Sequence, residues 1–124
     1  ANGRPPLCVW PPHCLLGTPG HAVHAPLASA SGRWCAAGRW VDWRVKGLNP
    51  WTEHYSALQA EVPDPDDPAT LPDPALLASL ARADRVLVAG EAGSHCVAHT
   101  LRDLASHLGD SFLARCVLLT DAVS

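Results

Sequence analysis

The alternation of apolar and polar positions is most legible between Arg85 and Gly109, RVLVAGEAGSHCVAHTLRDLASHLG. Val86, Leu87, Val88 and Ala89 form a short unbroken apolar run, which suits a strand buried on both faces of a parallel sheet. Gly90 and Gly93 break it. From His95 the period changes: Val97, Leu101, Leu104, Ala105 and Leu108 recur at spacings of three and four, so they share one helical face. Ser94 is a good N-cap and Gly109 a good stop, which predicts a helix between them. In that frame Cys96 takes the second helical position.

The flanking pattern extends the same architecture. Pro74 to Ala83 reads as a helix with Asp73 as its cap and Leu76, Leu77 and Leu80 as its apolar stripe. Cys116 to Leu119 reads as the next strand, and Trp40 to Lys46 as an earlier one, with Val41, Trp43 and Val45 on one face and Asp42, Arg44 and Lys46 on the other. Strands alternating with helices predict the α/β class, with a parallel sheet and right-handed crossovers. The remainder is loop chemistry. Prolines and glycines crowd Ala1 to Gly20, and His21 to Arg39 is weakly patterned and reads as mostly irregular. Asn49 to Gln59 reads as a loop leading into a short helical turn. The segment 62–74, VPDPDDPATLPDP, packs five prolines and four aspartates into thirteen residues and reads as a surface loop without a catalytic role.

The totals narrow the partners. With 124 residues, 48% of them hydrophobic, residues 1–124 fit one domain at most. A net charge of −3 gives no basic face for nucleic acid. No apolar run approaches the roughly 18–20 residues that cross a bilayer, so no membrane partner is expected. Five cysteines without CxxC spacing or a secretory signal argue against a disulfide scaffold and for a reducing, cytoplasmic setting. His21 and His24 can share a helical face, but they read as surface histidines rather than a metal pair.

Two side chains carry candidate chemistry. In the first turn of a helix the backbone N–H groups are unpaired and the dipole favours negative charge, so a thiolate at Cys96 is well placed. N–H groups of the turn and of Cys96 can converge on the oxygen of an attacked carbonyl. The competing reading is a small buried cysteine chosen for its size. Lys46 closes its strand at the same sheet edge, where open α/β sheets place their sites, and an ammonium there favours a thiolate. A solvated lysine is the competing reading.

WPPHCLLGTPG from Trp10 to Gly20, KG at Lys46 and Gly47, HYSA from His54 to Ala57, and VAGEAGSHCVAHTLRD from Val88 to Asp103 together resemble nicotinamidase and related amidases of the isochorismatase-like cysteine hydrolases. Their order matches, and the resemblance spans Trp10 to Ser124. It implies a Rossmann-like parallel sheet flanked by helices and an Asp-Lys-Cys triad that hydrolyses a small carboxamide, nicotinamide to nicotinate and ammonia first among them, in NAD metabolism. Cys96 falls on the nucleophile that forms a thioester, and Lys46 on the triad lysine. A cis peptide bond is implied between Glu91 and Ala92, aiming the Ala92 N–H, with that of Cys96, at the oxyanion. His13 matches a ligand of a divalent metal such as zinc, iron or manganese. Trp10 and Tyr55 match positions lining the pocket. For His95, facing the pocket and merely starting the helix remain equally open. A homo-oligomer is compatible with this reading.

The departures are specific. The family's aspartate and its D-x-H metal ligands lie upstream of the WPxHC motif, and no aspartate occurs here before Asp42. Neither Asp42 nor Asp121 matches the missing base. Glu53 stands where an aspartate often precedes the YSA motif. The expectation that follows is a partial domain, lacking a strand-helix-strand unit of roughly 30 residues or more at its N-terminus and a final helix after Ser124. Such a chain is expected to be inactive and poorly stable by itself. The alternative is a non-catalytic member that keeps the fold as a scaffold or interaction module.

Overall fold

Leu58, Leu104 and Phe112 meet at the centre of the apolar core, exposed by only 5%, 2% and 1%. Around them pack Leu76, Leu77, Leu80, Val86, Leu101, Leu108, Leu113 and Cys116, each half-buried. The predicted stripes of the two helices are therefore the residues that meet, as helical periodicity requires. The computed structural model describes residues 6–124, and these divide into two units, Cys8–Val45 and Lys46–Ser124 with Pro6 and Leu7.

In the larger unit the elements are α2 (Pro74–Ala81), β1 (Val86–Gly90), a π-helical turn (Gly93–Val97), α3 (Ala98–Leu108), α4 (Asp110–Leu113) and β2 (Cys116–Val123). Asp73 caps α2 as expected, its carboxylate accepting from the N–H groups of Ala75 and Leu76 at 2.7 and 3.4 Å. Gly109 ends α3 with φ +80°, a conformation in which a side chain is strained. Strands β1 and β2 pair in parallel, Val86 opposite Cys116 through Val88 opposite Leu118, and the register shifts before Gly90 meets Val123. One β-α-β crossover thus forms the sheet seen among the described residues, and the protein is mixed α/β.

Several expectations are corrected. Trp40 to Lys46 is not a strand: the segment is irregular, with Trp40, Trp43 and Val45 all exposed, because its alternating pattern finds no strand to pair with. The sheet among the described residues therefore has two strands. β1 is not buried on both faces; Leu87 is 62% exposed, and on β2 its partner Val117 and the next residue, Leu118, are exposed as well. Residues Asn49 to Gln59 contain turns and bends but no helical turn. The 62–74 loop does stay largely on the surface, pinned by buried Thr70, whose hydroxyl accepts from Asp64 N–H at 2.8 Å, while Asp67 caps a 3₁₀ turn at Pro68–Thr70.

The smaller unit holds an unpredicted helix, α1 (Ala25–Ala36). It buries no residue, so no apolar stripe marked it in the sequence; alanine-rich composition and a proline in the first turn suffice to form it. Its end is closed by Trp34, whose indole N–H donates to Trp40 carbonyl at 3.1 Å and whose ring lies 4.1 Å under the Arg39 guanidinium. No helix among the described residues is long and apolar enough to cross a membrane.

Replacing Phe112 by Ala is expected to lower the unfolding free energy by about 3–5 kcal/mol, and Asp73→Ala by about 1 kcal/mol, in urea titrations. Similar losses in the two would mean that the buried ring is not the centre of the core.

Candidate active site

Strand β1 ends at Gly90, whose φ of +134° is readily adopted only by glycine, and the chain turns there toward Cys96. The Glu91–Ala92 peptide bond is cis, at the position the resemblance implied. Gly93 follows in close contact with the end of β2: a Cβ there would lie 2.8 Å from a Val123 methyl, and its N–H donates to the Ser124 carbonyl at 2.6 Å. A larger residue would push the turn off the strand.

The helix then begins differently from the expected capped α-turn. Ala92, not Ser94, is the N-cap residue, and its carbonyl accepts from the N–H groups of both His95 and Val97, at 3.1 and 3.2 Å, in a widened π turn. Cys96 is the fourth residue of this helical run rather than the second. The Ser94 hydroxyl instead pairs with His95 Nδ1 at 2.9 Å. Ser94 is thereby drawn away from the backbone, because a neighbouring imidazole competes for the same hydroxyl.

Lys46 reaches the half-buried Cys96 from a sequence distance of fifty residues, its ammonium donating to Sγ at 3.5 Å. No strand end positions it. The carbonyls of His54 and Tyr55 hold the ammonium instead, the latter at 3.0 Å. With Tyr55, Ala57, Glu91 and Thr100 these two residues line a cleft of about 180 Å³. For scale, a cavity of about 150 Å³ accepts a benzene ring.

The wall behind Tyr55 is polar and buried. The phenol ring packs edge-on to His95 and tilted to His99, at 5.5 and 5.3 Å between centroids. His99 Nδ1 lies 2.7 Å from Glu61 Oε1, with Glu61 3% and His99 8% exposed. Arg102 Nη1 stands 3.5 Å from His99 Nε2. Since a carboxylate can only accept, Nδ1 donates to Glu61. Neither Glu61 nor His99 was singled out from sequence, because a pair thirty-eight residues apart has no local pattern. Thr100 was missed too, although its spacing of four from Cys96 is that of a helical hydroxyl bonded to the preceding turn.

Lys46, Tyr55, Ala92 and Cys96 thus lie in one unit, around one turn and one cleft. Trp10 and His13 belong to the smaller unit, where their rings are 6.4 Å apart and edge-on. His13 Nδ1 lies 2.6 Å from the Pro11 carbonyl. One imidazole is not a chelating set, and among the described residues no three His, Cys, Asp or Glu side chains converge. The residues at hand therefore do not fit the divalent metal implied by resemblance, and no chemical step is assigned to one.

His54 is held below its ordinary pKa of 6.5, first by burial and then by the Lys46 ammonium, with Glu61 and Asp103 opposing. Its Nδ1 accepts from Gly47 N–H at 3.3 Å, a contact that only the unprotonated nitrogen can make. The unfolded chain therefore takes up this proton at higher pH than the folded one. Folding stability contributed by neutral His54 is complete above pH 6.5 and lost as pH falls through the lowered folded value. Melting temperatures measured from about pH 8 down to about pH 5 should fall more steeply for the native sequence than for His54→Gln; parallel curves would assign the pH dependence elsewhere. Neither a known family model, nor a curated protein, nor a solved structure matches this chain.

Proposed function

We propose that this protein is a cysteine amidohydrolase acting on a small one-ring carboxamide, nicotinamide first, in the manner of the nicotinamidase-like hydrolases. The single observation that carries the reading is the contact between the Lys46 ammonium and Cys96 Sγ, at the mouth of a cleft of aromatic-ring size. The same proposal assigns the β-α-β crossover to a Rossmann-like hydrolase fold. A reactive residue just past the carboxyl end of a parallel strand is where such sheets carry their chemistry.

Cys96 Sγ attacks the carboxamide carbon, the C–N bond breaks, ammonia leaves, and water then hydrolyses the thioester to the free acid. Lys46 stabilises negative charge at the sulfur and on the oxyanion that forms at the attacked carbonyl. The N–H groups of Ala92 and Cys96 are the donors proposed for the oxyanion. Tyr55, braced by His95 and His99, offers a ring face or edge to an aromatic substrate. The thiol proton passes, by resemblance, by way of an aspartate that no position of this sequence matches to the amide nitrogen, which leaves as ammonia.

A second reading, a non-catalytic interaction module, is favoured by the exposed apolar side chains of the sheet, Leu87, Val117 and Leu118. Ammonia release from a panel of carboxamides, by a chain that also carries the upstream aspartate the resemblance implies, separates the two. Cys96→Ala is expected to abolish turnover, and Lys46→Met to lower kcat by about 10²-fold or more. In that longer chain, equal activity with and without Cys96→Ala removes the cysteine from the reaction, and no release from any carboxamide favours the module.

A further inference from the structure

We infer that Thr100 is a positioning residue that holds the Lys46 ammonium against the Cys96 sulfur. Its hydroxyl donates to the Cys96 carbonyl at 2.7 Å and accepts from the Ala57 N–H at 2.9 Å. Ala57 is two residues from Tyr55, whose carbonyl accepts from Lys46 at 3.0 Å, and Lys46 in turn reaches Cys96 Sγ. The bonds close a ring that starts at the backbone of the cysteine and returns to its side chain.

Each link has a physical consequence. A lysine ammonium has a flexible four-carbon stem and no intrinsic geometry, so its position is that of the acceptors around it. Two of those acceptors are carbonyls of the segment 54–57, which has no helix or strand of its own to define its place. Tyr55 is restrained through its ring by His95 and His99, but the ring does not dictate where the backbone carbonyl points. The hydroxyl of Thr100 does so, because it ties the N–H of Ala57 to the turn of helix that carries the sulfur. Without it, the Ala57 N–H and the Cys96 carbonyl each lose a partner, and the carbonyl cradle separates from the helix. The inference rests on the proposed pairing of Lys46 with the nucleophile.

The test reads charge at the sulfur without requiring turnover. Cys96 is alkylated by anionic iodoacetate and by neutral iodoacetamide, and the two rates are followed on the Cys96 peptide by mass spectrometry so that the other cysteines do not interfere. An ammonium beside the sulfur raises the iodoacetate to iodoacetamide ratio, and Lys46→Gln should lower that ratio about threefold or more. Thr100→Val should bring it most of the way to the Lys46→Gln value, Thr100→Ser should keep it native, and Thr100→Val should add nothing in the Lys46→Gln background. Thr100→Ala removes the same hydroxyl with less crowding and serves if the valine variant does not fold. A native ratio in Thr100→Val or Thr100→Ala, with a lowered one in Lys46→Gln, overturns the role of Thr100 while leaving the pairing intact. A ratio lowered equally in Thr100→Ser and Thr100→Val overturns it as well. An unchanged ratio in Lys46→Gln removes the pairing itself, and the proposed function with it.

Discussion

An ammonium shared between two backbone carbonyls and one sulfur makes heavy demands on the chain around it. The carbonyls of His54 and Tyr55 must face the same way, the sulfur must stand within reach, and the segment that offers the carbonyls must be kept from collapsing onto the helix. None of this follows from the residues that touch the lysine. It follows from Ser56, fully buried, whose hydroxyl accepts from Leu58 N–H, from Leu58 itself in the core, and from Thr100 on the helix. The reactive pair is thus assembled by an irregular segment fastened at both ends.

The opposite side of the same site is fastened by backbone. The shifted register between β1 and β2 brings Val123 and Ser124 alongside the turn after β1, and only a residue without a Cβ passes there. Gly93 is that residue, and the π turn that begins with it sends two N–H groups back to one carbonyl at Ala92. Extra backbone drawn into the first turn displaces Cys96 by two positions from where an ordinary capped helix would present it. The buried pair of Glu61 and His99 braces the third side. Its cost of desolvation is offset by a short hydrogen bond and by Arg102 beyond it, and its hold on Tyr55 shapes the wall of the cleft.

Wherever apolar periodicity met a partner, the sequence was enough. Helix α2 with its Asp73 cap, strand β1, the run through α3 to Gly109, and the start of β2 were legible because each packs apolar residues on the core, although β1 and β2 leave Leu87, Val117 and Leu118 exposed. Where the pattern met no partner it misled: Trp40 to Lys46 alternates as a strand does, yet remains irregular and exposed. Where structure needs no buried stripe the pattern was silent, as in α1.

The residues of the candidate site divide along the same line. Cys96 and Lys46 could be named from their neighbours in sequence, because turns and motifs are local and are written in consecutive residues, and the cis bond before Ala92 was implied by the resemblance alone. That Lys46 reaches Cys96 from a loop rather than a strand end, that Thr100 ties the two segments together, and that Glu61 pairs with His99 were decided only by the folded chain. Hydrogen bonds between residues tens of positions apart leave no period in a sequence; their partners are chosen by which surfaces the core brings face to face.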